Sequence, residues 1–200
     1  MRPPRKLLVA ILAVGLLSAS AATAAIWPVS LKPTDLPALE TGALIFHTSK
    51  APEATAISFA SASKFSHVGM VHKRDDGSVW VLDSAGIVGE TPLSEWVARG
   101  VGNRFEVFRD RRVDTSKRTW LLEAAKAQLG KGYDYIFWFE NDTLYCSELI
   151  YVLFNAAQMP IGRVESIGSL NVDNVLTENL IRQRWQLHPR CQKAGMNYEK

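Results

Sequence analysis

The 200-residue sequence predicts an α+β domain, and three stretches carry that prediction. SHVGMVHKR and VWVLDS, within Phe65 to Ser84, flank the turn Asp75-Asp76-Gly77 and read as a β-hairpin. Trp120, Leu121, Ala124, Ala125 and Leu129 recur at helical spacing, with Asp114, Thr115 or Ser116 to cap the start and Gly130 where a helix ends. CSELIYVLFNAA reads as a second helix behind the cap candidates Asn141, Asp142 and Thr143. With 47% hydrophobic and 22% charged residues the chain can bury a core, which excludes a disordered or fibrous protein. No interior linker marks a boundary, so residues 26–200 are read as one domain with a polar tail from about 186.

The remaining elements follow in order. TGALIFHT (41–48) reads as a short strand, and 51–64 as a short helix opened by a proline and an early glutamate. In the hairpin, a three-residue loop with Gly77 left-handed pairs residues whose numbers sum to 152, which sets Gly69 opposite Asp83 and His67 diagonal to it. Diagonal neighbours lie about 7–8 Å apart, within reach of an imidazole and a carboxylate. A two-residue loop would instead send Asp83 to the other face. Thr91 to Trp96 reads as a turn into a short helix, RFEVFR (104–109) as another strand, YDYIFWF (133–139) as an aromatic run, and 171–185 as one more helical segment.

Charge and targeting narrow the class. Arg2, Arg5 and Lys6 precede the apolar run Leu7 to Leu17 and the small-residue stretch Ser18 to Ala25, the layout of a secretory signal, with Ala22 and Ala24 as an A-x-A site. Removing 1–24 leaves 20 basic residues against 20 acidic ones, so the mature chain is neutral and a nucleic-acid partner loses its electrostatic argument. Residues 7–27 also approach the length of a membrane span, so an uncleaved N-terminal anchor is the alternative, and the only route to a membrane partner. Either way the domain is expected outside the cytoplasm, in the periplasm or cell envelope. Cys146 and Cys191 suit an oxidising compartment, but Cys191 lies in the polar tail with little reason to pack against Cys146, so a disulfide is not expected.

Cys146 is predicted in the first turn of its helix, where unpaired backbone N–H groups and the positive end of the dipole favour a thiolate. His67, beside Ser66 and Gly69, is the best placed base, with His47 in reserve; His72 points to the opposite strand face. Glu148 lies about 200 degrees round the helix from Cys146, which suits a cap or buried hydrogen bond rather than a base. Taken singly, a buried helix cysteine or a strand histidine is more often structural; the combination raises the catalytic reading. GxGxxG, Walker A, GxSxG, HExxH and paired CxxC motifs are absent, and His188 with Cys191 do not make a zinc site, so no cofactor or metal is expected.

Phe65 to Ala85, Leu129-Gly130-Lys131-Gly132-Tyr133-Asp134 and Tyr145-Cys146-Ser147-Glu148 together resemble the circularly permuted, papain-like NlpC-type cysteine amidases of the YiiX kind. The likeness spans about 41–157, with His before Cys as permutation requires. It implies an antiparallel half-barrel sheet packed on the nucleophile helix, Cys146 attacking an amide or ester carbonyl, His67 as base and then acid, and Asp83 orienting the imidazole. The family commonly has glutamate at the third position, so a direct contact, a water bridge or replacement by Glu90 all stay open. Tyr133 and Tyr145 match family tyrosines near the nucleophile, as oxyanion or substrate donors or as packing. The aromatic run lines a groove for a sugar or acyl chain, or packs the loop on the sheet. The expected activity is hydrolysis of an amide in cell-wall peptide. The alternatives are a lipid-directed thiol hydrolase or acyltransferase acting on lipid amides or esters, and a non-catalytic envelope-binding module.

Overall fold

A computed structural model describes residues 39–139, 141–162 and 164. In order they form β1 (Leu44–His47), α1 (Ala54–Ala60), β2 (His67–Lys73), β3 (Val79–Ala85), β4 (Ile87–Pro92), α2 (Leu93–Ala98), a 3₁₀ turn (Val101–Asn103), β5 (Glu106–Phe108), α3 (Thr115–Lys126) and α4 (Cys146–Ala156). The strands make one sheet in the order β4-β3-β2-β1-β5, every neighbouring pair antiparallel. The expected α+β class is therefore met. The leader, the segment 171–185, the tail from 186, His188 and the Cys146–Cys191 question lie outside the described residues.

Alternation along the strands divides the core between the two sheet faces. Leu44, Val68, Met70, Leu82 and Val88 join Leu121, Ala125, Leu149, Leu153 and Phe154 of α3 and α4. Ile45, Val71, Val79 and Val81 face the other way, onto Leu93, Trp96 and Val97 of α2. The hairpin takes the register that sums to 152: Met70 pairs with Leu82 and Lys73 with Val79, and Gly77 turns the loop at φ +81°. That backbone conformation is one glycine adopts without steric cost.

The helix expected at 51–64 is shorter, Ala54–Ala60, and three further differences from the sequence reading bear on the site. Ile87–Pro92 is a strand, hidden in the sequence because Gly89 and Pro92 break its pattern; Gly86 at φ +100° turns the chain straight back from β3. The outer edge of β4 is covered by the segment after α3: Val88 N–H bonds to Lys131 O at 2.8 Å, Gly130 N–H to Val88 O at 2.9 Å and Tyr133 N–H to Gly86 O at 2.8 Å. α3 is capped by Asp114, whose carboxylate accepts from Lys117 N–H, but it ends at Lys126, leaving Leu129 beyond it and exposed. Trp120 is exposed as well, beneath the Lys117 ammonium 4.1 Å from its ring. α4 is preceded by Tyr145 as N-cap, not by Asn141, Asp142 or Thr143, because those three fold into their own turn, with Asn141 Oδ1 accepting Thr143 N–H at 2.6 Å.

Candidate active site

The chain before α4 is pinned on both sides. Leu144 N–H donates to Gly132 O at 3.0 Å, and Leu144 O accepts the Ser84 hydroxyl at 2.6 Å. These bonds fix the entry to the helix and set Cys146 at its first position, buried, on the α3/α4 face. Pairing of β2 with β3 begins at Met70 and Leu82. Just before that point, the Val68 N–H hydrogen-bonds to the Cys146 sulphur, as does the Ser147 N–H.

His67 opens β2 and Asp83 lies on β3, on the α2 side of the sheet. His67 Nε2 and Asp83 Oδ2 are 2.7 Å apart, which settles the contact between them as direct. His67 is also hydrogen-bonded to Cys146. The thiol and the imidazole thus approach from opposite faces and meet where β2 and β3 begin to diverge. Burial alone would push the thiol up, but the His67 hydrogen bond and charge and the two N–H groups outweigh it and hold the thiol below its ordinary value. Burial would likewise depress His67, yet its hydrogen bonds to Asp83 and Cys146 raise it to about 10. Both directions favour a thiolate paired with an imidazolium, the form in which a cysteine is nucleophilic.

Two residues that the sequence reading missed complete the surroundings of Asp83. Trp96 Nε1 donates to Asp83 Oδ2 at 2.9 Å, and Arg99 Nη1 lies 3.6 Å from the same oxygen. Trp96 read only as an apolar position of a short helix; nothing local shows that its indole faces a carboxylate thirteen residues earlier. His47, the reserve base, pairs with His67 across β1 and β2 but stands behind it. Its ring stacks on Trp96 at 4.0 Å and on His67 at 5.3 Å, and neither of its nitrogens has a hydrogen-bond partner among the described residues. Burial, together with the His67 charge, lowers it to about 3, so it is a neutral ring.

Glu90 is not near His67. It accepts from His72 Nδ1 at 2.5 Å and Arg74 Nη2 at 2.8 Å on the opposite face, and despite burial these partners hold its carboxyl below the usual range. Tyr145 caps α4 with its ring against Phe137. Burial and the neighbouring Glu148, Asp134 and Cys146 charges push its hydroxyl up, leaving a neutral O–H. Tyr133 packs edge-on against Tyr135. Glu148 is buried and receives the Tyr145 N–H at 3.4 Å, the capping role expected of it. The aromatic run wraps around buried Asp134, which accepts from Ile136 N–H at 2.8 Å, Trp138 N–H at 2.7 Å and Asn141 Nδ2 at 3.1 Å. Ile136 is thereby tucked in, while Tyr135 and Trp138 are exposed.

Residues 38–189 match the family described as permuted papain-like amidase enzymes, YaeF/YiiX, C92 family. The chain belongs to this family. A relative within it, named Uncharacterized protein YiiX, from Escherichia coli (strain K12), is 29% identical over 148 residues, 73% of each chain. A crystal structure described as that of metalloprotein yiiX from Escherichia coli O157:H7 superimposes with a TM-score of 0.71 at 30% identity, over 76% of this chain and 84% of that one. Membership of the YaeF/YiiX family gives the sheet-and-helix arrangement its class, a circularly permuted papain-like fold, and makes the protein, at the level of its family, a cysteine hydrolase.

Proposed function

We propose that the protein is an exported cysteine amidase that cleaves an amide bond in cell-wall peptide. The observation that carries this reading is the thiol of Cys146 at the start of α4, paired with an imidazole that is itself bonded to Asp83. The export-type N-terminus and the amidase family support the location and the bond type.

In this reading the Cys146 thiolate adds to the amide carbonyl. The Cys146 backbone N–H, at a helix position where no preceding carbonyl can accept it, faces the developing oxyanion, with the Tyr145 or Tyr133 hydroxyl as a second donor. The tetrahedral adduct expels the amine, which takes its proton from His67, and a thioester remains. His67, now neutral, removes a proton from water; the hydroxide adds to the thioester, and the acid product leaves as the thiolate and imidazolium reform. Asp83 holds the imidazole in register throughout. The solved relative is described as a metalloprotein. Among the described residues here no three His, Cys, Asp or Glu side chains are grouped to hold an ion, and those of the site are spent on one another, so no step is routed through a metal.

One observation favours a second reading. Tyr135 and Trp138 are exposed on the loop that leads to Cys146, a surface suited to an acyl chain and hence to lipid amides or esters. Incubating the protein with muropeptides and, separately, with N-acyl and ester lipids distinguishes the two by product mass. New amine and carboxylate termini from muropeptides, lost in Cys146→Ala, support the proposal; fatty-acid release with intact muropeptides supports the second reading. A binding module without chemistry would show neither, together with a thiol of ordinary pKa.

A further inference from the structure

We propose that Trp96 is a positioning residue for the Cys146–His67 pair, acting through Asp83; the inference rests on the hydrolase reading above. Asp83 Oδ2 is the meeting point of three groups: His67 Nε2 at 2.7 Å, Trp96 Nε1 at 2.9 Å and Arg99 Nη1 at 3.6 Å. Only the first two are at hydrogen-bond distance. The indole therefore supplies the second hydrogen bond of a buried carboxylate whose first is to the imidazole. A buried carboxylate held by a single donor is free to turn, because one hydrogen bond does not fix its plane. Arg99 offers a place to turn to: its Nη1 stands 3.6 Å from the same oxygen, while Nη2 is held by Thr91 Oγ1 at 3.0 Å.

The indole is in a position to resist that movement because its own place is fixed twice. Its ring is fully buried and stacks on His47, which in turn stacks on His67, so the tryptophan cannot shift without displacing both imidazoles. The end of α2 is also tied to the chain leaving β1. Ser49 and Gly100 form a bridge, Lys50 N–H donates to Arg99 O at 3.0 Å, and Lys50 Nζ donates to Ala98 O at 2.8 Å. The strand that carries His47 and the helix that carries Trp96 thus hold each other. His47 serves here as a neutral spacer of aromatic thickness; Gly100 fits against it so closely that a Cβ would stand 3.0 Å from its Nδ1.

The test reads the ion pair without a substrate. The rate of Cys146 alkylation by iodoacetamide is followed from pH 5 to 10 in the full chain carrying Cys191→Ser, and again with Trp96→Phe, with Asp83→Ala and with both. In the parent the rate is expected to titrate below the free-thiol value of about 8.5. Trp96→Phe, which keeps a ring and removes the donor, is expected to move that midpoint up by about one unit, a loss of about tenfold in rate at low pH. Added to Asp83→Ala it is expected to change nothing further, which a merely structural tryptophan would not mimic. An unmoved midpoint in Trp96→Phe, or an equal shift in the Asp83→Ala background, overturns the proposal. A parent that itself titrates near 8.5 overturns the hydrolase reading first, and this role with it. Where Trp96→Phe melts too low to assay, the Trp96 indole N–H resonance of the parent decides: it should move with the alkylation midpoint, and indifference to that midpoint overturns the role.

Discussion

Gly69 lies on the same strand face as His67, across the hairpin from Asp83, and a Cβ there would stand 3.3 Å from the Asp83 Cβ and closer still to the Val81 side chain. The diagonal from His67 to Asp83 passes over this bare position. A side chain at residue 69 would press on Val81, the Leu82 carbonyl and the Asp83 Cβ. The glycine is there for close approach, not for a left-handed turn.

Gly69→Ala is therefore expected to act in two ways. Overpacking against Val81 costs about 1–3 kcal/mol of stability. It also pushes Asp83 off the imidazole, so the Cys146 midpoint rises. Thermal melting with alkylation of the same sample checks both; a melting shift with an unmoved thiol midpoint would show that the site tolerates the methyl group.

Activity should follow the ion pair. With the thiol held low and His67 raised to about 10, the pair exists from the depressed thiol value up to about pH 10. Below that window the thiolate is protonated; above it His67 no longer carries the proton that the leaving amine needs. Turnover is expected to rise on an acidic limb below the ordinary thiol value and to fall on a basic limb near 10. Cys146→Ala should abolish it, and His67→Ala should reduce it by about 100-fold or more. A pH–rate profile on any cleaved substrate checks the limbs.

His47 gives the fold its own pH dependence. Unfolded it titrates near 6.5, but in place it is lowered to about 3 by burial and by the His67 charge. Between those values the unfolded chain binds the proton and the folded one does not, so stability falls as pH drops from 6.5 towards 3, by about 1.4 kcal/mol per unit at the steepest. The Cys146–His67 pair adds an acid loss of its own below 6.5, since the unfolded chain protonates both groups while the folded pair holds one proton, and that loss is common to parent and variant. Denaturant melts at pH 7 and pH 4.5, in the parent and in His47→Phe, should show a smaller acid loss in the variant. An equal loss in both would mean that the imidazole does not report as buried.

How far the site was legible in the sequence depends on how local each relationship is. The hairpin register follows from one turn tripeptide, and with it the meeting of His67 and Asp83. Cys146 at a helix start followed from the run CSELIYVLFNAA, although the cap was misplaced by the Asn141 turn, which competes for the same polar residues. β4 was illegible because it is a strand paired on one side to β3 and covered on the other by Gly130 to Tyr133, so its pattern did not need to alternate. Trp96 was illegible because it reaches Asp83 only once α2 has packed on the sheet face opposite α4.

Asp83 and Glu90, the two acids weighed as partners of His67, should separate cleanly. Asp83 bonds His67 on one face, while Glu90 bonds His72 and Arg74 on the other, beside the Arg74 guanidinium that lies 3.7 Å over the Trp80 ring. Asp83→Asn keeps the size of the side chain but removes the anion that holds the imidazole charged, so the Cys146 midpoint should rise and turnover should fall by about 10- to 100-fold, with only a small change in melting. Glu90→Gln should do the reverse. It loses a partly buried ion-pair cluster, worth about 1 kcal/mol, and leaves the thiol midpoint where it was. Parallel alkylation and melting curves on the two variants decide this. A thiol midpoint that moves in Glu90→Gln would mean that the two faces of the sheet are coupled, and that the cluster on β4 takes part in setting the charge of His67.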